Sequence, residues 1–316
     1  MIARTHHILR LEGPRVSGGM TAPAAVGGVL RHMEFAAKEA VRMAFRHSSR
    51  KPGRVPAWLS AAEDVKFVGV SPDALGGTQL HFEAPKFGDV ADEPYREPTL
   101  FDPPPSVSDT AFDLLGDIIK DISSGVEDSE KFDVGLLHRI ELLSGTVLKR
   151  GISSIVLLGD RLSPDSPPRI NLELARQAKD LCRETPSPRK VRIAGKLDMI
   201  RDSDSVFNLI LDTGERLRAV WTGGDTEKLA DFFKQQIVIG GTAIFRPSGA
   251  VLRVDADAID VAGAKDGFFS TMPQPSSRKI VTKQLKKRNS GMAAIFGKWP
   301  GNESEEELLS ALKDMG

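Results

Sequence analysis

Val191-Arg192-Ile193-Ala194-Gly195-Lys196-Leu197-Asp198-Met199-Ile200 alternates apolar and polar side chains through most of its length. That period of two is the pattern of a strand with one buried face. Gly195 stands in mid-strand, where a long strand can bend. Downstream, residues 206–211 read as a second strand, Asp212-Thr213-Gly214-Glu215 as a tight turn and residues 216–221 as a third strand. Residues 225–233 read as a short helix. Residues 237–245 form a fourth strand, Pro247-Ser248-Gly249 a turn, and residues 251–254 with Ile259 a fifth strand.

The order strand, strand, strand, helix, strand, strand over 189–262 resembles that of an oligonucleotide/oligosaccharide-binding (OB) barrel, with Gly195 where the first strand turns the barrel corner. An SH3-like barrel is the competing five-strand reading. The OB resemblance raises single-stranded nucleic acid as a ligand. That chemistry needs a basic groove with aromatic stacking platforms. The candidates are Arg192, Lys196, Arg216, Arg218, Trp221, Phe245, Arg246 and Arg253, with Lys286, Lys287 and Arg288 in the segment that follows. Against it, residues 190–262 hold ten Lys/Arg and eleven Asp/Glu, so the barrel lacks the basic footprint usual for such modules. A structural or protein-binding barrel fits that charge balance better.

Upstream, Ile8, Leu9 and Leu11 mark a short strand closed by Gly13-Pro14. Residues 23–46 carry apolar side chains at helical spacing, with Thr21 as candidate N-cap and Pro23 in the first turn. Two strands, 65–70 and 78–83, flank the turn signal Gly76-Gly77. Residues 85–106 are rich in proline and acid and read as a linker or surface loop. Helices are expected at 107–122, opened by a capping signal at Ser108, at 131–143 and at 171–184, with a buried strand at 155–158.

The expected fold class is therefore α+β. A small N-terminal α/β unit (1–85) leads into a Pro/acid-rich linker and helical middle segment (86–188). The OB-like five-stranded β-barrel (189–262) follows, then a disordered basic tether (263–290) and a partner-binding tail (291–316) with a short amphipathic helix.

Lys+Arg and Asp+Glu number 43 each, so no net charge draws the chain to nucleic acid or membrane. The charge is unevenly spread. Residues 1–56 hold ten basic and three acidic side chains, and residues 83–133 hold four basic and fourteen acidic ones. These blocks read as solvated faces, or as surfaces that meet each other or a partner. The single cysteine, Cys182, excludes an intrachain disulfide, reads as a small buried hydrophobe and fits a reducing cytoplasm. Met1 to His7 has no long apolar run, so no secretory signal is expected, and no stretch is apolar enough for a membrane span. A cytoplasmic, bacterial protein is expected.

The pattern of a catalytic site is missing. There is no Gly-x-Ser-x-Gly elbow and no phosphate loop. His6, His7, His32, His47, His81 and His138 form no His-x-x-x-His pair, and His6 and His7 on one strand point to opposite faces. Asp198, Asp202 and Asp204, or Asp255 and Asp257, fall in turns or at a strand end, where solvated acids are ordinary. The chain is read as a binding protein without cofactor or metal, not as an enzyme.

The tail concentrates apolar side chains after a segment that cannot fold alone: residues 278–288 hold six Lys/Arg and no acid. Ile295, Phe296 and Trp299 surround Lys298, and Pro300-Gly301 makes a turn. Ser304 with Glu307 forms a capping box, and Leu308, Leu309, Leu312 and Met315 then line one helical face. So short a helix folds by docking. The tail closes either on a partner or on a neighbouring subunit of a homo-oligomer.

Residues 294–308 resemble the C-terminal toxin-binding tails of antitoxins paired with PIN-domain ribonuclease toxins. The resemblance implies that Lys298 enters the carboxylate pocket of the toxin, that Phe296 and Trp299 anchor the tail, and that the leucine face fills a groove. The chain departs from that family in its length and in having no recognisable N-terminal DNA-binding module.

Overall fold

The computed structural model describes residues 3–276, except 17, 51–54, 75, 97–102, 149–150, 203–204, 225 and 264, and except the side chains of 144 and 146–148. The described residues up to Pro275 belong to one compact unit. The tail positions Ile295, Phe296, Lys298, Trp299, Leu308, Leu309, Leu312 and Met315, and the basic residues Lys286, Lys287 and Arg288, lie outside the described residues.

The elements run in the order β1 (Arg4–Glu12), α1 (Pro23–Arg46), α2 (Ala57–Ala62), β2 (Lys66–Pro72), β3 (Thr78–Pro85), α3 (Phe87–Val90), α4 (Glu93–Arg96), α5 (Ala111–Ser123), α6 (Val134–Leu148), β4 (Ser154–Leu158), β5 (Arg169–Ile170), α7 (Leu172–Glu184). The barrel elements follow: β6 (Arg189–Arg201), β7 (Val206–Ile210), β8 (Arg216–Trp221), α8 (Glu227–Ala230), β9 (Gln236–Phe245) and β10 (Val251–Val261). The fold is mixed α+β with a closed five-stranded barrel. Among the described residues no helix is long and apolar enough to cross a membrane.

The first five strands make one sheet in the order β2-β3-β1-β4-β5. β1 lies at its centre, antiparallel to both β3 and β4. Alternate residues of β1 and β3 therefore face one side. Leu9, Leu11, Leu80 and Phe82 pack with Val29 and Met33 of α1 and with Phe112 and Leu115 of α5, all buried. Burying such side chains contributes roughly 1.5–3 kcal/mol each. β4 and β5 come from the segment after the acidic stretch and complete the sheet begun by residues 4–85.

Two expected caps are corrected. The residue before α1 is Ala22, with no side-chain cap, and Thr21 Oγ1 instead lies 3.0 Å from Thr78 Oγ1. The cap of α5 is Thr110, not Ser108. Thr110 and Asp113 make a reciprocal capping box. Ser108 is spent in a turn with Ser106, so the helix starts later than its sequence signal. The proline-rich stretch also holds α3 and α4; Phe87 of α3, Ala91 just after it and Tyr95 of α4 join the cluster of Phe45 and Leu59.

In the barrel, β6 pairs antiparallel with β7 and β9, β7 with β8, and β10 antiparallel with β9 but parallel with β8. Numbered one to five, the strands close as 1-2-3-5-4-1, an arrangement compatible with an OB-like barrel. Ile193, Phe207, Leu217, Ile239 and Val254 fill the interior. The β9–β10 seam closes tightly at Gly241, where an added Cβ would sit 2.4 Å from the Asp255 carbonyl oxygen.

Candidate functional site

The second and third strands of an OB barrel, with the loop joining strands four and five, form its usual ligand face. In this chain that surface is β7, β8 and the turn 246–250. The turn is closed by Arg246 N donating to Ala250 O at 2.8 Å. Arg246 projects from it and Arg218 from the outer side of β8, where alternation puts Leu217 and Ala219 inside.

Both arginines meet one carboxylate. Arg218 Nη1 donates to Glu130 Oε2 at 3.0 Å, and Arg246 Nη2 to Glu130 Oε1 at 2.5 Å. Arg246 Nη1 also donates to the Asp128 side chain at 3.1 Å, and Ser248 Oγ to the same oxygen at 2.9 Å. The Ser248 amide donates to Glu127 O at 3.1 Å. The acidic loop between α5 and α6 therefore lies on the strand-three and turn surface and supplies its counter-charge. The oxygen spacing of a carboxylate suits two guanidinium forks, and bonds of this charge-assisted kind are the stronger ones.

A second contact fixes the barrel to the sheet domain. Arg253 of β10, 5% exposed, donates to the His47 carbonyl at 2.6 Å and to Ser48 Oγ at 3.1 Å. Its Nε donates to Asp255 at 2.7 Å, and Asp133 lies 3.8 Å away. His47 caps α1 in the left-handed region, φ 50°. A non-glycine residue there is uncommon. The conformation delivers the carbonyl of the helix end to a cation, which the helix dipole favours. Asp133 is held in turn by Ser49 N, Ser49 Oγ and Leu136 N, at 3.0, 2.6 and 3.1 Å.

The other residues singled out for nucleic acid are scattered. Arg192 pairs with Asp266 at 3.1 Å and lies over the Phe269 ring. Arg216 pairs with Asp198 at 3.5 Å, and Lys196 is exposed on β6. Trp221 and Phe245 are core residues, 5% and 1% exposed, so their rings face the barrel interior and not a base. Among the described residues of that set, Arg218 and Arg246 are brought onto one carboxylate. The acidic partners Asp128 and Glu130 were visible in sequence only as part of a charge excess.

The basic N-terminal block does not pair wholesale with the acidic one. Arg4, Arg10, Arg42 and Arg50 find Asp64, Glu12, Glu63 and Glu39. Of the carboxylates considered as pairs, Asp257 holds Lys190 at 2.7 Å and Asp202 accepts from Thr226. Cys182 is half-buried. Burial, and then the carboxylates of Glu141 and Asp133, push its thiol up to about 11, so it is a poor nucleophile at neutral pH. Among the described residues no group of three or more His, Cys, Asp or Glu is placed to hold a metal ion. His7 is buried, with Nε2 3.0 Å from Thr110 Oγ1, while His6 is exposed on the opposite face, as alternation requires.

Comparison of the chain with protein-family models, with curated proteins and with solved structures returns no match.

Proposed function

We propose that the chain is a protein-binding inhibitor that acts through residues 291–316, with the sheet domain and barrel as its scaffold. The observation that carries this reading is the order of side chains in the tail. Aromatic anchors flank Lys298, and a capping box then opens a leucine face that ends at Met315. Aromatic side chains are the type that dominates binding hot spots, and a short amphipathic segment gains its helix by laying that face into a groove. The candidate partner is a PIN-type ribonuclease toxin, whose acidic metal pocket would receive Lys298. The engagement of Arg218 and Arg246 by Glu130 supports the barrel as scaffold over the barrel as a phosphate-binding groove.

The test uses the full chain and its Trp299→Ala and Leu309→Asp variants as bait in a cytoplasmic extract, followed by magnesium-dependent ribonuclease assays on what is retained. The expected result is a ribonuclease held and inhibited by the unsubstituted chain and released by both substitutions. Equal retention by all three chains, or retention of nucleic acid that salt displaces, would overturn the reading. Loss of a homo-oligomer on substitution, with no ribonuclease held, would assign the tail to self-assembly instead.

A further inference from the structure

Strand pairing, not sequence proximity, creates the most distinctive cluster of nitrogen donors outside the barrel. His6 of β1 faces Glu83 of β3 in register, and Ile8 faces His81, so the two histidines are diagonal neighbours on the sheet face opposite the helices. His6 Nε2 lies 3.0 Å from His81 Nδ1, with the rings stacked at a centroid distance of 5.1 Å and an angle of 20°. The second ring nitrogen of His81, Nε2, lies 2.7 Å from Ser71 Oγ on β2. Three adjacent strands thus hold one imidazole pair in place.

We propose that His6 and His81 form a cross-strand clamp for a borderline divalent transition-metal ion, copper(II) foremost. Imidazole suits copper, nickel and zinc, and copper(II) stands highest in affinity among the divalent ions. With metal–nitrogen bonds of about 2.0–2.1 Å, nitrogens 3.0 Å apart subtend an angle of roughly 95°. That is the angle between neighbouring positions of a tetragonal site, the geometry copper(II) and nickel(II) prefer. A tetrahedral zinc site would require the rings to open by about 0.3 Å.

The Ser71 contact has a definite role in this arrangement. In the binding tautomer His81 Nε2–H donates to Ser71 Oγ and the Nδ1 lone pair faces His6. A metal-bound histidine is usually oriented by such a bond from its other ring nitrogen. Without the ion His6 Nε2–H donates to His81 Nδ1; on binding, His6 moves that proton to Nδ1 and offers the Nε2 lone pair. Both rings are then neutral donors, so the ion enters with no net loss of protein protons. The other charges on this face include Glu83, Arg4 and Lys66, which both pair with Asp64, and Arg10 and Arg169, which both pair with Glu12. Two protein ligands leave the rest of the coordination to water or to a donor from a bound molecule, so affinity is expected in the micromolar and not the nanomolar range.

The test titrates copper(II) chloride alone into the full-length protein in a non-chelating buffer, read by calorimetry and by electron paramagnetic resonance. The expected result is one ion per chain with two imidazole nitrogens in its spectrum. His6→Asn and His81→Asn should each weaken binding at least about tenfold, Ser71→Ala should weaken it less, and substitution of the exposed His138 of α6, His138→Asn, should leave it unchanged. A spectrum of the unsubstituted protein without paired imidazole nitrogens overturns the proposal, whatever the variants do. So does affinity that survives both histidine substitutions.

Discussion

Arg253 Nη1 donates to the main-chain carbonyl of His47 at 2.6 Å, joining residues 206 positions apart in sequence. The guanidinium is buried between the end of α1 and the carboxylates of Asp133 and Asp255.

Removing that cation leaves a buried carboxylate and a helix-end carbonyl without their shared donor. Arg253→Ala is expected to cost about 3–5 kcal/mol, the range for breaking a buried ion pair from one side. Arg253→Lys keeps the charge but loses the fork, and should fall between the two. Urea midpoints measure the loss. Faster proteolysis near residues 185–188, between α7 and β6, would show that the barrel has been released.

The Glu130 contact is a weaker matter, because its carboxylate is half-exposed. Glu130→Gln should cost no more than about 1 kcal/mol, and less in high salt. A loss as large as that of Arg253→Ala would mean that the acidic loop, and not Arg253, holds the barrel in place.

Acid should destabilise the sheet domain through His7. Burial lowers its pKa, against the opposing pull of Asp113 and Asp160. The folded state therefore keeps the ring neutral at a pH where the unfolded chain has taken up a proton. The stabilisation is fully present above the ordinary histidine range and is lost as pH falls through it, at no more than about 1.4 kcal/mol per pH unit for one group. His7→Gln, which keeps a donor for Thr110, should flatten the urea-midpoint profile between about pH 7.5 and 5. Some slope should remain, because the His81 pKa is lowered as well.

Gly241 and Gly27 should respond in opposite directions to alanine. At Gly241 the new carbon meets the Asp255 carbonyl oxygen at 2.4 Å and the Ala256 Cα at 2.8 Å, and backbone cannot move aside cheaply. Gly241→Ala should cost at least about 1–3 kcal/mol. Gly27 lies exposed in α1 with nothing within 4 Å of the added carbon. Gly27→Ala should add about 0.5–1 kcal/mol. Thermal melts of the two variants check both signs.

The barrel was readable because its signals are local: alternation in 191–200, the turn residues 212–215 and 247–249, and the helix between the third and fourth strands all sit inside the elements they define. The long helices were readable for the same reason, with α1 matching its expected bounds, whereas the short α2, α3 and α4 were not read. The caps at Thr21 and Ser108 misled because a hydroxyl chooses among partners that only the fold supplies. Pairing across long separations left no trace in the sequence. Nothing near residues 154–158 says that they pair with β1, and nothing near His6 names His81. The Glu130 surface was hidden likewise, since an acidic excess does not say which arginines it will meet.

The parallel pairing of β8 with β10 also has a consequence for vectorial synthesis. The sheet of the first five strands can be completed once Ile170 has left the ribosome, but the barrel must wait for a strand that ends at Val261. At typical elongation rates of about 5–20 residues per second that lag is on the order of ten seconds. From the moment β8 emerges it has one edge without its neighbour, and throughout the lag the carbonyl of His47 awaits its guanidinium. The nascent chain is therefore most exposed to mispairing in the interval just before β10 emerges, when a chaperone that shields strand edges would matter most.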